Sequence, residues 1–233
     1  MIYHDFSKEI DERSIELGLK NNDVWPILDG PFNESIYSQQ STKILFVLKE
    51  AFDDFDEGQP SGGGWKIGKD WKNTLKYEEI NHSKTFTNLA YLTYGLYENK
   101  ETKDMPWIYE DADVPSSLLK SGIINTGKMP AYSSTAYSHL NKIASDWIDI
   151  DIKQLEEYNP DIIVFGGTFY LYADSFGLSD YYHEVNEDGV YGFAIKDNKL
   201  YIDAYHPNVR SVSPWVYIDR ILSVARAYLK NRT

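Results

Sequence analysis

Two short runs constrain this chain more than any other feature: "KILFVL" (Lys43–Leu48) and "DIIVFGG" (Asp161–Gly167). Each is apolar at nearly every position. A strand with one wet face alternates, whereas a strand covered on both faces does not. Two further runs, "GIINT" (Gly122–Thr126) and "LYIDAY" (Leu200–Tyr205), complete a set of four. Helical patterns lie between them. "SKEIDERSIELGLKNN" (7–22) sets Ile10, Ser14 and Leu17 on one stripe, and "KTFTNLAYLTYGLYEN" (84–99) is apolar from Phe86 to Tyr97. Residues 133–148 space Leu140, Ile143, Ala144 and Trp147 helically. A new helix is predicted from Asp151, as N-cap with Gln154 three residues on, to Asn159-Pro160. The last helix opens with Ser213 as N-cap and Pro214 in its first turn, and repeats Ile218, Ile221, Leu222, Ala225 and Leu229 toward the core.

Strands alternating with helices predict an α/β fold: a three-layer α/β/α sandwich around a central, mostly parallel four-stranded sheet. The 233 residues fit a single domain, 1–233, with residues 1–40 as a helical extension packed on it.

The chain has no cysteine, which excludes disulfides, thiolate metal sites and cysteine nucleophiles and suits a cytoplasmic setting. No apolar run approaches the ~20 residues that span a bilayer. The start, "MIYHDFSKEIDERS", is too polar for a secretory signal. A net charge of −13 argues against indiscriminate binding of polyanions. The charge is uneven: residues 1–60 carry 13 acidic and 5 basic side chains, residues 199–233 carry 2 and 6. Lys66, Lys69, Lys72 and Lys76 form a second basic cluster. The acidic N-terminal half suits a protein partner, the basic segments a local contact with nucleic acid. The acidic run Asp53, Asp54, Asp56, Glu57 lacks the glycine of a calcium loop, which disfavours a divalent-ion site there. Neither Gly-x-Ser-x-Gly nor Gly-x-Gly-x-x-Gly occurs, which disfavours a serine hydrolase and a dinucleotide fold.

In open parallel sheets, ligands bind beyond the carboxyl ends of the strands. The four exits read "KEAFDD", "NTGKMP", "GGTF" and "HPNVR". His206 stands just past its strand, and Pro207 restricts the backbone before it, so the imidazole is aimed rather than loose. Each exit residue also has a plain structural role open to it: His206 as a loop tie, Glu50 as a cap or ion-pair partner, Asn125 as a strand-end residue, Trp65 as a surface anchor. The glycines Gly62–Gly64 read as a loop.

Together the exits resemble the uracil-DNA glycosylase superfamily. "ILFVLKEAFDD" is similar to its first motif, with Glu50 and Ala51 matching and Lys49, Phe52 and Asp53 standing where glycine, proline and glycine are usual. "INTGKMP" is similar to the strand end that carries the base-reading asparagine, with Asn125 and Lys128 in register. "EYNPDIIVFGGT" and "YHPNVRS" follow in the family's order, with Asn208 in place of a serine or small residue. The missing cysteines place the chain outside the iron–sulfur branch. The resemblance implies hydrolysis of the N-glycosidic bond to uracil or a related damaged base in DNA, with no metal and no cofactor. Glu50 and His206 would be catalytic. Asn125, Phe52, Trp65 and Lys49 would meet the base, and Gly166, Gly167, Lys128 and Arg210 the phosphates. The alternative is a non-catalytic nucleic-acid- or nucleotide-binding protein of the same fold.

Overall fold

The structure, a computed structural model, describes residues 3–56, 58–71, 73–132 and 137–232. Glu57 of the acidic run, Lys72 of the basic cluster and residues 133–136 of the expected helix lie outside them. In chain order the elements are α1 (Ser7–Glu16), β1 (Gly30–Pro31), α2 (Glu34–Ser38), β2 (Ile44–Glu50), β3 (Asp54–Asp56), β4 (Gln59–Ser61), α3 (Tyr77–Ile80), α4 (Lys84–Tyr97), α5 (Asp113–Ser117), β5 (Gly122–Gly127), α6 (Tyr137–Tyr158), β6 (Ile162–Gly166), α7 (Phe169–Tyr172), β7 (Tyr182–Glu187), β8 (Val190–Lys196), β9 (Lys199–Ala204) and α8 (Pro214–Arg232).

The fold is α/β, with a seven-stranded mixed sheet in the order β1-β5-β2-β6-β9-β8-β7. The expectation of four strands was too small. The four apolar runs form the inner strands, paired in parallel as β5-β2-β6-β9. An antiparallel hairpin, β8 and β7, extends the sheet beyond β9, and β1 closes the other edge antiparallel to β5. Of these additions β8, "VYGFAIK", does alternate buried and more exposed positions, whereas β7 and β1 carry no such mark. β7, "YHEVNE", has no fully buried residue, so no apolar run marks it. The β8–β9 turn needs only Asp197 and Asn198, both left-handed at φ 52° and 58°, as a two-residue hairpin requires.

Helices cover both faces. Phe46 and Leu48 of β2 join Leu89 of α4, Val114 of α5 and Ile218 of α8 in one core. Leu45 and Val47 join Ile10 of α1, Trp147 of α6 and Tyr172 of α7 in the other. Residues 1–40 are more than an extension: they supply edge strand β1, and Tyr3, Phe6, Ile10 and Tyr37 belong to the second core.

Two helix readings change. The first helix ends at Glu16, because Gly18 turns left-handed (φ 65°); Leu17 is therefore exposed. The two helices expected over 133–159 are one 22-residue helix, α6. Asp151 is not its cap. It continues the inward stripe of Leu140, Ala144 and Trp147, and its carboxylate is fully buried. The predicted stop at Asn159-Pro160 agrees: Asn159 takes the left-handed conformation (φ 44°) before the proline.

Candidate active site

Parallel pairing aligns the four strand exits at one end of the sheet. Leu48 lies opposite Asn125 and Glu50 opposite Gly127. Gly166 lies opposite Ala204, two residues before His206. Glu50, Asn125, Gly166 and His206 therefore share the carboxyl end. Side chains alternate along a strand, so Glu50 follows Phe46 and Leu48 on the face of the first core, and Asn125 follows Ile123 there. Lys49 follows Leu45 and Val47 on the other face.

Glycines let the exits close on one another. A Cβ on Gly127 would lie 2.6 Å from Glu50 Cγ. One on Gly166 would lie 2.5 Å from Leu48 Cδ2 and 3.0 Å from Pro207 Cδ. The amide expected to meet phosphate at Gly167 is already committed: it donates to the Ala204 carbonyl at 2.8 Å. Gly166 and Gly167 thus allow close packing of the His-Pro loop, with the Gly167 amide engaged inside the protein.

The His206 imidazole is held. Its Nδ1 accepts from the Asn208 N–H at 3.1 Å. Burial, with the nearby Lys49 charge adding to it, pushes its pKa down to about 4. A neutral ring whose Nδ1 accepts carries its proton on Nε2. The loop is fixed from α4, where Asn88 Nδ2 donates to the Pro207 carbonyl at 2.7 Å and Lys84 Nζ donates to that of Val209. Both residues were missed in the sequence. Asn88 was signalled only as one polar residue within the apolar stretch of α4.

Asn125 is 3% exposed. Its main-chain N–H donates to Asp29 Oδ2 at 2.7 Å, which caps the ladder where β1 has ended. Its side-chain Nδ2 has no hydrogen-bond partner among the described residues. A buried donor left this way is costly unless a ligand completes it.

No family model matches this chain, and no curated protein does.

Lys128 does not reach a phosphate. It is fully buried on the opposite face, with Nζ 2.8 Å from Asp29 Oδ2, 2.7 Å from Asp151 Oδ1, 2.8 Å from Gln154 Oε1 and 2.9 Å from the Asn125 carbonyl. Gln154 Nε2 donates to the other Asp29 oxygen, and the Tyr172 hydroxyl donates to Asp151 Oδ2 at 2.6 Å. Burial opposes the Lys128 charge, but Asp151 and Asp29 hold its pKa above the ordinary range. Two carboxylates share one ammonium, and burial raises Asp151 to about 7. Lys128 is thus the centre of a buried ion cluster that supports Asn125 through its main-chain carbonyl.

The remaining expected residues are spread more widely. Phe52, just past β2, is 54% exposed. Arg210 is exposed, four residues beyond His206. Trp65 lies off the sheet edge, its carbonyl accepting from the Leu28 N–H, and with Tyr3, Asp29 and Lys66 it lines a cleft of about 450 Å³. Its Nε1 donates to Asp53 Oδ2 at 2.9 Å, which also accepts from Gly63 N–H. Asp53 thus ties Trp65 to the loop after Glu50. The Gly62–Gly64 loop is tightly fitted: all three residues have positive φ, and a Cβ on Gly63 would collide with the Trp25 carbonyl.

Proposed function

We propose that this protein removes uracil or a related base from DNA by hydrolysing the N-glycosidic bond, on a uracil-DNA glycosylase-like fold whose centre is the parallel set β5-β2-β6-β9. The observation that carries the reading is His206: a neutral imidazole, held by Asn208 and presenting Nε2–H at the end of the sheet that also carries Glu50 and Asn125. Breaking the bond leaves negative charge on the base and positive character on the sugar. A fixed Nε2–H stabilises a base oxygen as that charge develops, without having to lose a proton. Glu50 orients water and steadies the sugar cation. Asn125 reads the base edge: Nδ2 donates to the uracil O4 and Oδ1 accepts from the ring N–H. Cytosine presents a donor and a bare nitrogen at these places, so the pairing inverts.

The test is single-turnover excision on uracil- and cytosine-containing single-stranded oligonucleotides, with abasic sites revealed by alkali. Product is expected with uracil alone, absent with Glu50→Gln. Asn125→Asp should lose about 2 kcal/mol or more of transition-state stabilisation while retaining DNA affinity. The second reading is a non-catalytic nucleic-acid- or nucleotide-binding protein of the same fold, which the bulky Lys49 at the end of β2 and Phe52 just after it favour, since they stand where the resembled motif has glycine and proline. Saturable binding without product would select it.

A further inference from the structure

Five aromatic rings form a continuous row that the proposed chemistry does not use. Tyr91 of α4 contacts Trp215 of α8 at 4.8 Å between ring centroids, and Trp215 contacts Trp107 at 5.9 Å. Trp107 lies nearly parallel to Tyr109, at 8° and 6.3 Å, and Tyr109 meets Tyr77. The outer pair is open to solvent: Trp107 is 53% exposed and Tyr109 62%. Ile108 between them is buried, and its N–H donates to the Tyr91 hydroxyl at 2.8 Å. The Glu110 N–H returns to the Trp107 carbonyl. The segment is thus pinned through its middle residue while two large apolar rings are held outside. Exposing them costs hydrophobic free energy that a partner would recover.

The charge along the segment that carries the two rings selects the partner. Residues 101–113 carry Glu101, Asp104, Glu110, Asp111 and Asp113 against Lys103 alone. Phosphates are repelled by such a set, and guanidinium groups are attracted. Arginine also stacks on aromatic faces through its planar group and pairs with carboxylates through two N–H bonds. From the exposed Trp107–Tyr109 pair and its flanking carboxylates, we infer that this face docks an extended, arginine-bearing peptide segment of a partner protein. Proline within that segment would keep it extended and add flat apolar contact with the rings.

The test is calorimetric titration of the full chain with the synthetic peptide acetyl-(Pro-Pro-Arg)4-amide. The same peptide with glutamate for arginine, and oligo(dT), serve as comparisons. Saturable binding of the arginine peptide is expected, weakened by added salt. Trp107→Ala and Tyr109→Ala should each weaken it about tenfold or more, as is usual for an aromatic anchor. Asp111→Asn with Asp113→Asn should weaken it several-fold. Trp107, Tyr109 and Asp113 are exposed and Asp111 is half-buried, its Oδ1 accepting from the Asp113 N–H, so circular dichroism of each variant verifies folding. No saturation by the arginine peptide would overturn the inference. So would unchanged affinity in Trp107→Ala, or equal binding of the glutamate peptide or oligo(dT).

Discussion

The side chain of Asn88 and the main-chain carbonyl of Pro207 are joined by a buried hydrogen bond of 2.7 Å across 119 residues of sequence. This bond fixes the His206 loop to α4. Asn88→Leu should strand the Pro207 carbonyl and cost about 1–3 kcal/mol, read as a lower urea midpoint with an unchanged slope. If His206 acts as proposed, the same variant should lower kcat more than it raises KM.

The His206 ring should remain neutral well below the ordinary histidine range. Its folded pKa, about 4, lies below the usual 6.5 because of burial first and the Lys49 charge second. The unfolded chain then takes up its proton first. Stability from this group is present above pH 6.5 and is lost as pH falls toward 4, a change of roughly 2–3 kcal/mol. Nuclear magnetic resonance titration of the imidazole should give the low value, and Lys49→Met should raise it part of the way. A ring titrating near 6.5 in the folded protein would remove the basis for a neutral donor.

Asp151 has the opposite sign. Burial raises its pKa from 3.8 to about 7, so the folded protein holds this proton longer than the unfolded chain. Its contribution declines as pH rises from about 4 to 7 and is level above that. Asp151→Asn should abolish this decline, seen in urea unfolding at pH 5 and pH 8. Lys128→Met should cost about 3–5 kcal/mol, because it leaves Asp29 and Asp151 buried without their cation.

Gly166→Ala should push the His-Pro loop outward. Its new Cβ would meet Leu48 Cδ2 at 2.5 Å and Pro207 Cδ at 3.0 Å, and overpacking of this kind costs about 1–3 kcal/mol. Thermal unfolding would read the loss. An unchanged midpoint would mean that the loop yields freely, against its anchoring by Asn88.

What the sequence determined by itself was the local pattern and the order of the pieces. Near-continuous apolar runs marked β2 and β6, because burial on both faces removes alternation, shorter apolar runs marked β5 and β9, and "HPN" after the last of them marked a restrained histidine. Pattern reports how buried a residue is, not what it touches. Lys128 shows the difference: its place beside a resemblance motif suggested phosphate, but packing of α6 against β5 brought Asp151 to it, and pairing of β1 with β5 brought Asp29 from 99 residues away. Asp151 looked like a cap because nothing local distinguishes a capping carboxylate from one buried opposite a lysine. β7 and β1 carried no signal, one for lack of any fully buried residue and the other because two residues have no period. The proton on His206 Nε2 was decided by the tertiary structure too, since it follows from an Asn208 amide aimed at Nδ1 and a loop fastened from α4.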